Sequence, residues 1–328
     1  MKKLLCVYIG VDVSKELLTV NAGDYYRGDV PNSAVDIRRL IKELKRKIGR
    51  DNVPQVCFES TGPYGSALFE ECARAEVPAS VLNPAKVRHF AKAMSESAKT
   101  DPIDARVIRL YSEAKQPVPT HAPGKAERLL RQLILAREAL TKSVVQLSGT
   151  LESMTEPVAR RFVAQSVEKL KERIKTVDKR VATALKEDAR LDGLAGELSK
   201  IEGVGGLSAA KIIALVPELG TLGRRDSAAL AGLAPFARDS GKFKGKTFVG
   251  GGRADVRRAL FMPATVAIRY NPVLKTVYER LRKAGKPYKV ALTAVMRKLF
   301  QYMDRVAARW YAEHGGTVDL AAPTHVSC

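Results

Sequence analysis

The sequence predicts an α/β domain at the N terminus, a helical middle and a mainly α C-terminal region. Three observations carry this division. Short β-branched runs alternate with amphipathic stretches over residues 1–118. Pro117, Pro119 and Pro123 then mark a linker, after which apolar residues step by three and four to about residue 189. From residue 196 to 328 a Gly-interrupted apolar stretch leads through a Gly/Lys-rich segment into basic, apolar-periodic helices. Residues 119–195 therefore form the linker and paired helices, and 196–328 a third region.

Each element has a local reason. Residues 4–13 (LLCVYIGVDV) are short, apolar and β-branched, as a buried strand is. ELLTVNAG and YYRGDV follow as two short strands with turn residues between them. Val35, Ile37, Leu40, Ile41, Leu44 and Ile48 recur at helical spacing, and Asn32 or Ser33 can cap that helix. PQVCFES (54–60) is a further strand, followed by a helix from Gly65 to about Ala75 and the strand ASVLN. Helices start at Pro84 and Pro102. A meander of three strands followed by alternating α and β predicts a mixed sheet covered by helices. In the middle, Leu133, Ala136, Leu140, Val144, Leu147 and Leu151 form one apolar series. Val163, Val167, Leu170, Ile174, Val177 and Val181 form another, with Gly149 and Pro157 near the break. The two read as an antiparallel hairpin, a dimerising coiled coil, or two helices of a bundle.

Charge narrows the function. The 328 residues hold 56 Lys and Arg against 35 Asp and Glu, a net charge of +21. Residues 241–328 alone carry 17 basic against 5 acidic residues, so the surplus is concentrated at the C-terminal end. Such a surface attracts a polyanion, and nucleic acid fits better than a membrane, because no apolar run is long enough to span one. Four cysteines without a CxxC pair, beside four histidines, argue against a zinc finger or a disulfide scaffold. The expected compartment is the reducing cytoplasm.

Four carboxylates stand where chemistry can use them. Asp12 ends the first strand and Glu59 ends another; Asp101 and Asp104 lie in KTDPIDA, three apart on one helical face. Singly, Asp12 reads equally as a turn cap, Asp101 as an N-cap and Glu59 as a surface residue. Together at one sheet edge they would repel one another unless cations neutralised them. Oxygen-only ligands select Mg²⁺ or Mn²⁺, and paired ions of that kind serve phosphodiester chemistry. In IEGVGGLSAAKIIALV, Gly203 and Gly205 separate two apolar stretches in a helix-hairpin-helix-like pattern. They either expose N–H groups to phosphate or simply make a tight turn. Ser240 stands among Arg238, Lys242, Lys244, Lys246, Arg253, Arg257 and Arg258. By spacing alone it is a loop serine; as a nucleophile it would have cations to stabilise the charge that develops on phosphate.

The segments YIGVDVSKE, CFESTGPYG, VLNPAKVRHFA, KTDPIDARVI, IEGVGGLSAAKII, LAGLAPFARDSGK and DVRRALFMPA resemble, in order and spacing, the IS110-family transposases. These are the DEDD recombinases that include Piv-type invertases. The resemblance covers nearly the whole chain. It implies a RuvC-like (RNase H-like) N-terminal domain, a helical coiled-coil middle and a C-terminal transposase domain. It maps the Mg²⁺-binding DEDD set onto Asp12, Glu59, Asp101 and Asp104, and the catalytic serine onto Ser240. The implied chemistry is attack of that serine on DNA, with a covalent phosphoserine intermediate and strand exchange. Implied partners are donor and target DNA, a second copy of the chain in a dimer or tetramer that shares the site between subunits, and, in some members, an element-encoded bridge (guide) RNA. The implied location is the bacterial or archaeal cytoplasm, on the nucleoid when DNA is bound. Three other functions remain to be separated by experiment: a RuvC-like nuclease that uses water, an actin-like nucleotide-binding kinase, and a non-catalytic nucleic-acid scaffold.

Overall fold

The computed structural model describes residues 5–59, 62–94, 101–120, 123–236 and 248–314. The chain divides into two compact units, Met1–Ala122 and Pro123–Val318. The first is built on a five-stranded sheet ordered β3-β2-β1-β4-β5. Its strands are β1 (Leu5–Val13), β2 (Leu17–Asn21), β3 (Arg27–Pro31), β4 (Asn52–Glu59) and β5 (Ala79–Leu82). The first three form an antiparallel meander, while β1, β4 and β5 run parallel. The parallel pairs need helical crossovers, and helices α1 (Ala34–Ile48) and α2 (Ser66–Arg74) supply them. Helices α3 (Pro84–Ala93) and α4 (Asp101–Lys115) complete the unit.

Alternation along the strands decides which helix sees which side chain. Ile9, Val11, Val13, Val56 and Phe58 join Ile37, Leu40, Ile41, Leu44 and Ile48 of α1 in one core. Tyr8 and Cys57 point the other way, into a second core with Leu82, Val87, Val107 and Ile108. One sheet face thus belongs to α1 and α2, the other to α3 and α4. Val35 departs from the expected apolar face: it is exposed, because two helical residues before Ile37 is about 200° around the axis. Ser33, not Asn32, caps α1, accepting from Asp36 N at 3.2 Å. Residues 117–120 run along the sheet edge; Thr120 N donates to Ala79 O at 2.7 Å and Ser80 Oγ to Val118 O at 3.0 Å. That pairing covers part of β5's open side. Burial pushes the Cys57 and Cys72 thiols up to about 12, so neither offers a thiolate at neutral pH.

The second unit begins with α5 (Lys125–Ser153) and α6 (Pro157–Lys186), joined by three residues. So short a joint makes them antiparallel neighbours, and Arg137 grips Asp178 across the pair. Val167 and Val181 of α6 are buried in the seam. Gly149 does not interrupt α5, which continues to Ser153; the break falls at Pro157, whose missing N–H is harmless in a first turn. Helix α7 (Ala189–Ser199) runs through residue 195, so no boundary of secondary structure marks the expected start of the third region. Helices α8 (Gly206–Leu215), α9 (Arg224–Leu230), α10 (Ala254–Tyr270), α11 (Pro272–Lys283) and α12 (Tyr288–Glu313) follow. A two-stranded ribbon, β6 (Pro235–Phe236) with β7 (Phe248–Val249), lies between α9 and α10. Helix α12 is the central post. Leu292, Val295, Leu299, Phe300 and Met303 are almost wholly buried, and α12 packs on α7, α9, α10 and α11. Among the described residues no helix is long and apolar enough to cross a membrane.

A carboxylate fastens the turn between α8 and α9. Asp304 on α12 accepts from Gly220 N at 2.7 Å and Leu222 N at 3.3 Å. Burial raises its pKa, opposed by these two N–H donors. A raised carboxyl pKa means the folded state holds the proton more tightly. The proton-linked part of its stability therefore grows as pH falls through the raised value toward the ordinary one, and is absent at neutral pH, where the two hydrogen bonds remain. We expect Asp304→Ala to destabilise by about 1–3 kcal/mol through two orphaned N–H groups. Asp304→Asn keeps an acceptor, so it should lose less than the alanine variant, and it should abolish the acid-side gain. Denaturant titrations between pH 4 and 8 read both effects.

Candidate functional site

Asp12 and Glu59 come together through register. The parallel pairing of β1 with β4 runs from Leu5↔Asn52 to Val11↔Phe58, so Asp12 and Glu59 are the next residues at the C-terminal ends of neighbouring strands. Side-chain alternation puts both on the face of Tyr8 and Cys57, which is the face α4 covers. Both are half-buried.

Helix α4 arrives from the other direction. Its Ala105 and Arg109 backbones lie against Gly10, and Arg109 Nε donates to Asn21 Oδ1 at 2.9 Å. Asn21 pairs with Gly10, and just past the end of α4 Pro117 O accepts from Gln55 Nε2 at 2.6 Å, where Gln55 pairs with Tyr8, nearer the start of β1. The helix thus runs antiparallel to β1, and its first turn, with Asp101 and Asp104, lies toward the strand ends. Asp104 is half-buried; the side chain of Asp101 lies outside the described residues. Among the described residues no three His, Cys, Asp or Glu side chains form a group that could hold a metal ion. Asp12 and Glu59 share the sheet face that α4 covers, and Asp104 stands in the first turn of that helix. In donor chemistry they suit Mg²⁺ or Mn²⁺, being carboxylates only.

Asn32, read from sequence only as a cap, proves to be a clamp. Its Nδ2 donates to Ser14 O at 2.8 Å and to Tyr64 O at 3.0 Å. It therefore ties the turn after β1 to the segment after β4, the two connections that leave Asp12 and Glu59. Gly10, Asn21 and Arg109 were also missed. A glycine between alternating apolar strand residues was the one local signal available.

In the second unit, α7, residues 200–205 and α8 form the expected hairpin. Gly203 takes a left-handed φ of 98°, and a Cβ there would lie 2.7–2.8 Å from the backbone and side chain of Ala267 on α10. Its role is close packing. We expect Gly203→Ala to destabilise by about 1–3 kcal/mol, measurable by thermal denaturation. Gly205 differs: it is the N-cap of α8, and among the described residues nothing outside its chain neighbours stands within 4 Å of where its side chain would be. That leaves the α8 N-terminus open. Asn271 Nδ2 donates to Glu202 Oε2 at 2.9 Å, holding the hairpin to the start of α11.

The predicted cations fare unequally. Arg253 forms a two-pronged pair with Glu218, at 2.9 and 2.6 Å, and donates to Leu215 O. Burial works against a charged Glu218, yet the Arg253 pair holds its carboxyl below the usual range. Arg257 donates to Ala231 O and Gly251 O. Arg253 thus ties the start of α10 to the end of α8, and Arg257 braces the turns on either side of the ribbon. Arg258 is exposed and pairs with Asp255 on its own helix. Arg238, Ser240, Lys242, Lys244 and Lys246 lie outside the described residues. Their segment is bracketed by the ribbon, where Phe236 pairs with Phe248 and Pro235 with Val249.

Two family models match this chain. Residues 9–156 match a model for the DEDD transposases of IS110 type, and residues 195–279 match the transposase model of the IS116/IS110/IS902 family. The first span includes all four carboxylates, the second Gly203, Gly205 and Ser240. The chain is 23% identical over 300 residues to the pilin gene-inverting proteins of Moraxella lacunata and Moraxella bovis, covering 89% of this chain and 92% of each relative. It is 28% identical over 180 residues to an uncharacterized 43.6 kDa protein of insertion element IS110 from Streptomyces coelicolor, covering 54% of this chain and 42% of that protein.

Proposed function

Because the chain belongs to the IS110 family of transposases, we propose that it cuts and rejoins DNA by metal-assisted phosphoryl transfer through a covalent serine link. The observation that best supports this is the adjacency of Asp12 and Glu59 at parallel strand ends on the face closed by α4. The sheet order, with its antiparallel meander and parallel extension, suits a RuvC-like domain.

In this reading Asp12, Glu59, Asp101 and Asp104 hold Mg²⁺ or Mn²⁺, which when bound polarises the phosphodiester and offsets its charge. Glu59 and Asp12 are kept side by side by the β1–β4 ladder and the Asn32 clamp, and α4 adds the aspartates. Ser240 Oγ gives its proton to solvent water and attacks phosphorus; the bond to the departing sugar oxygen breaks, that oxygen takes up a proton from water, and one strand end is left on the serine. Attack by a sugar hydroxyl from the partner strand reverses the step, frees Ser240 and completes the exchange. The two catalytic segments lie in different units of the chain, which suits a site shared between copies in a dimer or tetramer. The α5–α6 hairpin is a candidate for joining such copies as a coiled coil.

The relatives named as pilin gene inverters act on DNA, and the +21 charge suits DNA and RNA alike. A bridge RNA predicts activity that ribonuclease destroys. The test of the proposal is direct. The full chain is incubated with Mg²⁺ and a supercoiled plasmid carrying the DNA that flanks the gene, together with the RNA transcribed from that flank, then denatured. Strand ends attached to protein are expected. Free ends alone would establish a water-using nuclease and overturn the covalent step.

A further inference from the structure

We infer that Gly10 is a positioning residue for the acidic site: because it has no side chain, α4 seats directly on the β1 backbone at the depth its aspartates require. This rests on the reading just proposed. A Cβ on Gly10 would stand 2.1 Å from Ala105 O and 2.6 Å from Arg109 N, both main-chain atoms of α4. No rotamer change relieves such a clash; the helix itself must lift by about an ångström, since interiors leave no slack. Gly10 is flanked on its face by Tyr8 and Asp12, so the contact lies two residues from one carboxylate on β1. On α4, Ala105 directly follows Asp104, and Asp101 lies four residues away, about 6 Å along the axis. The contact is therefore beside the acids that it spaces.

A second fastening acts at the same level. Asn21, the register partner of Gly10, accepts from Arg109 Nε at 2.9 Å and from Gly23 N at 3.2 Å. Arg109 also pairs with Glu113 one turn on. Gly10 sets how near α4 comes; Asn21 and Arg109 set where along the strand it stops. Sheet and helix are thereby locked in two directions, and the spacing of Asp12 and Glu59 from the first turn of α4 follows.

The experiment compares Gly10→Ala with Val11→Ala in the full chain. Val11→Ala thins the opposite core and leaves the α4 face alone. For each variant, plasmid cleavage is measured against Mn²⁺ concentration, DNA binding by gel shift, and α4 amide protection by hydrogen exchange. Gly10→Ala is expected to cleave about 100-fold more slowly, as roughly 1 Å of misplacement costs. It should also need several-fold more Mn²⁺ for half-maximal rate, lose protection in α4, and bind DNA normally. Val11→Ala should keep the wild-type Mn²⁺ requirement. Wild-type Mn²⁺ dependence and α4 protection in Gly10→Ala would overturn the inference, as would the same shifts in Val11→Ala. If Gly10→Ala does not fold, Asn21→Ala decides, with about a tenfold loss and the same Mn²⁺ shift expected from losing one anchoring hydrogen bond. An unchanged Asn21→Ala would then reject it. Asp12→Asn in parallel separates the two ideas: if it stays active the acidic-site reading fails, whereas an inactive Asp12→Asn beside a normal Gly10→Ala rejects only the positioning role.

Discussion

Asp12→Asn is expected to slow DNA strand cleavage by about 1,000-fold, the equivalent of about 4 kcal/mol of lost charge stabilisation at the reacting phosphate. The substitution keeps the side chain's size and one oxygen while removing its charge. The fold should not suffer, because Asp12 is half-buried at a strand end and not part of either apolar core. Removing one of several neighbouring negative charges relieves repulsion, so the melting temperature should hold or rise slightly. DNA binding should persist, since phosphate affinity resides in the basic surface and not in the acids. Cleavage rate, melting temperature and gel shift on one preparation check all three. Cleavage within tenfold of wild type would remove Asp12 from the chemistry and leave the turn-cap reading standing.

Ser240→Ala is the second large effect. If the hydroxyl is the nucleophile, protein–DNA adducts should fall below detection and recombination should drop by at least about 10,000-fold, as loss of a catalytic nucleophile does elsewhere. Binding should remain near normal, because the surrounding cations are untouched. Undiminished adducts would point to another nucleophile. Cleavage that continues with free ends only would show that water serves in its place. The two variants fail differently: Asp12→Asn disables charge stabilisation, while Ser240→Ala disables attack.

Much of the fold was legible residue by residue. The β-branched run ending at Asp12 and the run ending at Glu59 are strands whose length and apolar content leave little choice. The α6 series from Val163 to Val181 marks the face that packs on α5. What the local pattern left out is equally particular. Val35 was grouped with an apolar face that it does not share. Gly149, expected near the break, lies inside α5 four residues before its end at Ser153, because a single glycine costs a long helix only about 1 kcal/mol and does not stop it. Arg253 and Arg257, expected at phosphate, also make contacts that the sequence hides: their guanidiniums are engaged by Glu218 and by backbone carbonyls. A cation's partner is a long-range contact, and nothing in the neighbouring residues reports it.

By itself the sequence determined the order of strands and helices in the first unit, the placement of two carboxylates at strand ends, two more at the start of a helix, and the basic surplus toward the C terminus. These follow from periodicity, capping and composition, which are local properties. Only the tertiary structure decided that β1 and β4 lie side by side in register, that their acids share the face α4 covers, and that Gly10 lets the helix come so close. Pairing register and helix-to-sheet depth arise from packing between segments far apart in the chain, and local patterns constrain such packing without specifying it.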